Sequence, residues 1–182
     1  YSFLFSTNVA DRFEDWDNIA PLIEDAGQDA LPNNVDFGFL KAAHDDRFVY
    51  FLIDLGVNPI NLQDFNSVAI YLDTDDDANS GLPVNGIGAE LEWTFGSRSG
   101  TFRVNGTASG VGHAAIDIVT MPTVTSTVFE IAFARDALPN NADPLFQGST
   151  IRIAFVDKAS SGDQVPDAGQ TITYDLGADQ PA

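Results

Sequence analysis

Cysteine is absent from this 182-residue chain, and its absence removes several kinds of chemistry. Without thiols the protein has no disulfide bonds, no zinc–thiolate site and no thiol nucleophile, and cysteine usage does not indicate a redox compartment. A chain of this length can bury a sizeable core without covalent cross-links. We therefore expect one domain over residues 1–182.

Basic residues are also scarce, since 8 Lys and Arg stand against 27 Asp and Glu, for a formal net charge of -19. Such a charge repels nucleic acid and anionic membranes. A long apolar run that would span a bilayer is missing as well, so we expect neither a nucleic-acid partner nor membrane insertion. Hydrophobic residues make up 44% of the chain, including 14 Phe, which indicates a globular protein.

The most informative stretch is an acidic turn between two apolar segments, residues 68–72 and 89–95. Four aspartates lie within five residues of this turn, and a bound cation would relieve their mutual repulsion. Aspartates at alternate positions can direct several oxygens inward, and Glu90 or Glu92 on the returning strand can add a carboxylate. The predicted metal ligands are Asp73, Asp75, Asp77, Asn79 and Glu90.

Calcium is the ion that this pattern favours, because calcium accepts about 6 to 8 oxygen ligands while magnesium keeps many of its waters. The helix-loop-helix calcium motif does not match, since Ala78 replaces its glycine and Val84 its glutamate. A calcium ion in a filled oxygen cage would be structural, because no position would remain open for a substrate. The alternative is a solvated acidic hairpin loop without an ion.

Short apolar or alternating segments, separated by Gly, Pro, Asn and Asp, predict about ten strands. They are residues 1–6, 35–43, 47–55, 68–72, 89–95, 101–104, 114–120, 126–134, 150–156 and 171–176. No convincing amphipathic helix is found. The fold class is therefore all-β, a single antiparallel β-sandwich of jelly-roll or immunoglobulin-like type, with an opening strand at 1–7 and a tail at 177–182.

Two features indicate how this sandwich is packed. Residues 48–53 are apolar on both faces, which is typical of a central strand covered on each side. Trp16 is predicted to fill a core position, and the alternation of residues 89–95 places Trp93 on the core face as well.

The order of segments resembles the β-sandwich superfamily that contains family 9 carbohydrate-binding modules and DOMON domains. The segments that carry this resemblance are residues 15–16, 35–43, 44–51, 69–75 and 88–93, within a likeness that covers roughly residues 10–176. The resemblance implies an extracellular sandwich of two antiparallel sheets, often with structural calcium. Members of the superfamily bind sugar or haem, or serve as appended modules.

Sugar-binding relatives hold a glycan between exposed aromatic rings. The residues proposed for this role here are Trp93, Phe65, Tyr174 and Phe102, although core packing explains them too. Haem-binding relatives use Met and His ligands, but Met121 precedes a proline and His44 lies in a charged hairpin, so haem is not favoured.

These observations lead to two hypotheses of different classes, neither of them an enzyme, because no nucleophile elbow or catalytic triad signature is found. The first is a non-catalytic, extracellular or cell-surface calcium-binding module whose partner is carbohydrate. The alternative is a structural subunit of a calcium-dependent fibre, tube or surface layer, whose partner is another copy of itself, paired through residues 1–5. Because the chain begins with Tyr1 and lacks a signal sequence, we expect a mature secreted product or an excised module.

Overall fold

The computed structural model describes residues 13–25, 35–56, 58–159 and 161–178. These residues form fourteen β-strands, a single 3-10 turn (Glu14–Trp16) and a single four-residue helix, α1 (His113–Ile116). The strands are β1 (Ile23–Glu24), β2 (Phe39–His44), β3 (Phe48–Asp54), β4 (Val68–Asp73), β5 (Leu82–Val84), β6 (Ile87–Ala89), β7 (Leu91–Thr94), β8 (Ser99–Val104), β9 (Thr107–Gly112), β10 (Val119–Met121), β11 (Val128–Ala134), β12 (Thr150–Asp157), β13 (Gln164–Val165) and β14 (Ile172–Asp175).

The strands make two large antiparallel sheets and a separate hairpin. The five-stranded sheet has the order β1-β2-β3-β11-β10, and the seven-stranded sheet has the order β13-β12-β4-β7-β8-β9, with β14 also paired to β12. The hairpin consists of β5 and β6. The predicted all-β, sandwich-like class is confirmed. Among the described residues no helix is both long and apolar enough to cross a membrane.

One hydrophobic core joins the two large sheets. It contains alternate residues of β3 from the smaller sheet and of β4 from the larger one, because successive strand residues point to opposite faces. Phe155 lies in this core with its ring centroid 6.2 Å from that of Phe37 and 6.4 Å from that of Phe95. The alternation of residues 89–95 predicted that Trp93 faces the core. This prediction is confirmed, because the Trp93 side chain belongs to the same core.

The outer faces of both central strands are covered as well. On β3, Tyr50 and Leu52 pack with Trp16, so the predictions for residues 48–53 and for Trp16 are confirmed. On β4, Ala69 and Tyr71 pack under the β5–β6 hairpin. All six residues of β4 are consequently buried, including its last residue, Asp73.

Some predicted strands are wrong. Residues 114–120 do not form one strand, because α1 comes first and Asp117 then adopts a left-handed φ of 45° before β10 begins. Residues 89–95 are divided at Glu90 between β6 and β7. The sequence analysis missed β9, whose small residues have low β-propensity. The predicted strand at residues 1–6 lies outside the described residues.

We expect Phe155→Ala to lower the free energy of unfolding by about 3–5 kcal/mol, because a fully buried ring would be replaced by a cavity. Phe65→Ala is the matched control, since Phe65 is 98% exposed and its loss should change stability by less than about 0.5 kcal/mol. Denaturant unfolding of both variants measures the difference. Equal losses would contradict the placement of the core.

Candidate metal centre

The end of β4 and the break between β6 and β7 bring two acidic residues together. Asp73 is the last residue of β4, and Glu90 lies between Ala89 of β6 and Leu91 of β7. The Glu90 N–H donates to the Leu72 carbonyl at 2.9 Å, and the Glu90 carbonyl accepts from the Arg103 N–H at 2.8 Å. The backbone of Glu90 is therefore fixed in the larger sheet at the point where the acidic turn begins.

Three carboxylates converge at this point. One carboxylate oxygen from each of Asp73, Asp75 and Glu90 lies within 4.8 Å of the other two, and these residues are called the acidic cluster below. Asp73 is 0% and Glu90 2% exposed, while Asp75 lies nearer the surface. Burial raises the pKa of Asp73 and of Glu90 above their ordinary values, and the charge of Asp75 adds to both increases.

The cluster contains more hydrogen-bond acceptors than donors. The Ser80 hydroxyl lies 2.9 Å from both Asp75 Oδ2 and Glu90 Oε1, and 3.1 Å from the carbonyl oxygen of Asp77. A hydroxyl carries a single proton, so it can satisfy these acceptors only one at a time. The Thr74 N–H donates to Glu90 Oε2 at 2.7 Å, which satisfies one further oxygen.

The carboxylate of Asp73 also has too few hydrogen-bond donors around it. Its Oδ2 accepts the Gly88 N–H at 3.3 Å, and the Asp76 N–H also lowers its pKa, but its Oδ1 is buried and makes no hydrogen bond of acceptable geometry in the part of the chain that the structure describes. The buried Thr74 hydroxyl likewise lacks one there. Leaving a buried carboxylate oxygen unpaired is costly, and native proteins rarely do so. A cation that binds Asp73 through Oδ1 would supply the missing partner.

The acidic turn lies very close to the β5–β6 hairpin. A Cβ at Gly88 would lie 2.5 Å from the Asp77 carbonyl oxygen and closer still to that of Ser80. Gly81, at a φ of 62°, would place a Cβ 2.7 Å from Glu90 Oε1. The close packing at both positions therefore requires glycine.

The five predicted ligands do not all meet. Asp73, Asp75 and Glu90 form the acidic cluster, whereas the exposed Asp77 carboxylate lies outside it and the exposed Asn79 side chain is hydrogen-bonded to Asp77. Asp77 Oδ1 instead accepts the Asn79 N–H at 2.9 Å and its side-chain amide at 3.0 Å. These hydrogen bonds lower the pKa of Asp77. A local turn therefore engages an Asp77 oxygen that the alternating pattern directs at the metal.

Glu92, the other glutamate considered as a metal ligand, forms salt bridges with basic residues instead. Its carboxylate oxygens lie 3.7 Å from Arg103 Nη2 and 3.1 Å from Lys158 Nζ. The side chain thus forms salt bridges on the outer face of the larger sheet, and Glu90 is the residue that joins the cluster.

A cleft of about 540 Å³ adjoins the acidic cluster and is called the β8–β9 cleft. Sequence reasoning missed it, although the Asn105-Gly106 dipeptide that forms its hairpin is a strong turn signal. None of the described residues that line the cleft is aromatic. Those with polar side chains include Asp75, Glu90, Asn79, Arg103, Asn105 and Gln147.

The aromatic residues predicted to bind a glycan are dispersed. Trp93 and Phe102 are 2% and 0% exposed, so the prediction that they present a binding surface is wrong: both point into the core. Tyr174 is half-buried, and its hydroxyl is hydrogen-bonded at 2.8 Å to Nδ1 of His44, whose pKa is lowered by burial and by Arg135. Phe65 alone is fully exposed. The described residues therefore contain no row of exposed rings.

Met121 lies near His113, whereas the sequence analysis considered His44 as its possible partner in haem binding. Together with His113 and Trp93 it lines a cavity of about 170 Å³. Ligand pockets usually have volumes of about 300–1,000 Å³, so this cavity is small for a cofactor.

Comparison with protein-family models, curated proteins and solved structures found no match. The resemblance to family 9 modules and DOMON domains therefore stays a prediction from the order of segments. The functional conclusion depends on the geometry of the acidic cluster.

Proposed function

We propose that this chain is a non-catalytic, extracellular calcium-binding β-sandwich protein, with the ion held by Asp73, Asp75 and Glu90. The observation that carries the proposal is Asp73, whose Oδ1 is buried without a hydrogen-bond partner among the described residues and whose carboxylate belongs to a cluster with two others. A divalent cation supplies the missing partner and offsets two of the three negative charges.

The ligand chemistry favours calcium over other ions. All three members of the acidic cluster offer carboxylate oxygens, which suit hard cations, while zinc prefers nitrogen and sulfur. Magnesium needs a near-ideal octahedron and keeps several waters, whereas calcium accepts a flexible arrangement. Extracellular calcium modules work at about 0.1–1 mM ion, which agrees with the proposed location.

The ion has a structural role in this proposal. Asp73 ends β4, Asp75 lies in the turn and Glu90 precedes β7, so one ion links three parts of the chain, of which only those of Asp75 and Glu90 already share the Ser80 hydroxyl. Ligand that binds only the folded state stabilises that state by mass action.

A carbohydrate remains the proposed ligand class. The resemblance stated above supports it, and a net charge of -19 favours a neutral partner over an anionic one. Aromatic stacking no longer supports it, because Trp93 and Phe102 are buried. The polar β8–β9 cleft replaces the aromatic surface as the proposed location.

Subunit assembly is the second candidate, and the position of β9 favours it. This strand lies at an edge of the larger sheet as described, and the segment Thr107–Gly112 contains neither charge nor proline. Edges of this kind pair readily with strands of other molecules. The predicted donor, residues 1–5, lies outside the described residues.

If copies assemble through β9, light scattering should show growth in millimolar calcium and reversal by a chelator. Gly110→Lys should prevent the growth, because it places a charge on the edge where a Cβ has no neighbour within 4 Å. Thr123→Lys, an exposed position outside this strand, is the control. A particle size that calcium leaves unchanged would remove this candidate.

For the ion itself, calcium at a hundred times its dissociation constant should stabilise the protein by about 2.7 kcal/mol. Asp75→Asn should abolish most of this gain, because it removes a charged ligand. Asp77→Asn should retain most of it, because Asp77 lies outside the acidic cluster. Thermal unfolding in calcium and in chelator measures both variants.

The comparison of Asp75→Asn with Asp77→Asn separates a specific site from general screening of an acidic surface, since each substitution removes one negative charge. Equal losses in the two variants, or a wild-type midpoint that is the same in calcium and in chelator, would contradict the proposal.

A further inference from the structure

The acidic cluster and the β8–β9 cleft are continuous. Asp75 and Glu90 belong to the cluster and also line the cleft, while Asp73 is fully buried behind them. A ligand in the cleft would therefore contact the same carboxylates that hold the ion.

Three carboxylates leave part of a calcium coordination shell open. Calcium takes about 6 to 8 oxygens, and three carboxylates that each bind through one oxygen supply three of them. The sequence pattern predicted a filled cage, but the Asp77 carboxylate lies outside the cluster and is hydrogen-bonded to Asn79. The remaining positions on the cleft side are thus available to water or to the hydroxyl groups of a ligand.

The lining of the cleft also offers hydrogen-bonding groups. Asn105 lies at the exposed tip of the β8–β9 turn with a φ of 50°. Arg103 Nη1 is buried without a hydrogen-bond partner in the described part of the chain. Gln147 lies beside the acidic turn, where its N–H donates to the Thr74 carbonyl at 3.2 Å, and its side chain is exposed. Amide and guanidinium groups donate to hydroxyl oxygens, and the amides also accept from hydroxyl protons.

We infer that the β8–β9 cleft binds a neutral carbohydrate, two adjacent hydroxyl groups of which complete the coordination of a calcium ion at Asp75 and Glu90. This inference rests on the proposed cation site. The cleft volume of about 540 Å³ lies within the range of about 300–1,000 Å³ that is usual for ligand pockets. Coordination and hydrogen bonds, instead of ring stacking, orient the sugar.

A neutral sugar fits the electrostatics better than an acidic one. Three carboxylates with one divalent ion retain a net negative charge, and Asp77 lies in the same turn, while Asp76 is paired with Arg152. The whole chain carries a formal charge of -19, which opposes the approach of an anion. Uncharged hydroxyl groups reach the ion without this repulsion.

Terbium in place of calcium provides a direct readout, because its luminescence lifetimes in H2O and D2O give the number of coordinated waters. The probes are the methyl pyranosides of mannose, glucose, galactose and fucose at millimolar concentration. We expect at least one of them to displace about two waters, one for each coordinating hydroxyl. Tetrahydropyran-2-methanol, which has the ring but no adjacent hydroxyl pair, should displace none.

Asn105→Gly combined with Gln147→Ala tests the hydrogen-bonding amides on the two sides of the cleft. Glycine is compatible with the left-handed backbone at position 105. We expect sugar affinity to fall about fivefold or more and calcium affinity to stay unchanged. Asn141→Gly is the matched control, because Asn141 is also exposed at a positive φ, 62°, but does not line the cleft.

The possible results separate the two proposals. Calcium and terbium binding without water displacement by any of the four pyranosides would overturn this inference and leave the cation site intact. Sugar binding that persists in chelator would overturn it too, because coordination would play no part. Absence of cation binding would overturn both.

Discussion

The repulsion between buried carboxylates is the constraint on which this part of the structure depends. Asp73 and Glu90 are almost fully buried, and each has an oxygen within 4.8 Å of its counterparts in the acidic cluster. Hydrogen bonds from Ser80, Thr74 and the Gly88 backbone satisfy some of these oxygens but not Asp73 Oδ1. Such a site is stable when the acids are protonated or when a cation lies among them. The pKa values of Asp73 and Glu90 are raised for the same reason, because burial and the neighbouring carboxylates disfavour the charged forms.

The layers of the fold bury the acidic cluster and fix its position. Because the β5–β6 hairpin covers the outer face of β4, the end of β4 is buried and Asp73 is buried with it. The division of the returning segment at Glu90 lets the chain leave the hairpin and enter the larger sheet, where β7 pairs with β4. The same sheet continues to β8 and β9, whose turn forms the far wall of the cleft. The order of strands in the larger sheet therefore determines the positions of the core, the acidic cluster and the β8–β9 cleft.

The core position of Trp93 and the location of the acidic turn could be predicted from the sequence, because both depend on short-range patterns. The alternation of residues 89–95 placed Trp93 in the core, and the acidic turn after residues 68–72 indicated Asp73 and Asp75. The orientation of Asp77 was not accessible, since a local hydrogen bond to Asn79 competes with the metal and its outcome depends on backbone geometry. The cleft was missed because β9 consists of small residues, although the Asn-Gly turn before it was a usable signal. The glycan-binding roles of Trp93 and Phe102 came from the resemblance, and burial rules them out.

The central claim is that a calcium ion occupies the acidic cluster, and a crystal structure of the protein grown in calcium tests it most directly. The account predicts a density peak about 2.3–2.6 Å from oxygens of Asp73, Asp75 and Glu90. The Ser80 hydroxyl should then no longer be the main donor to Asp75 and Glu90. An ordered cluster in ample calcium that contains only water, with the Ser80 hydroxyl still hydrogen-bonded to both carboxylates, would contradict the account.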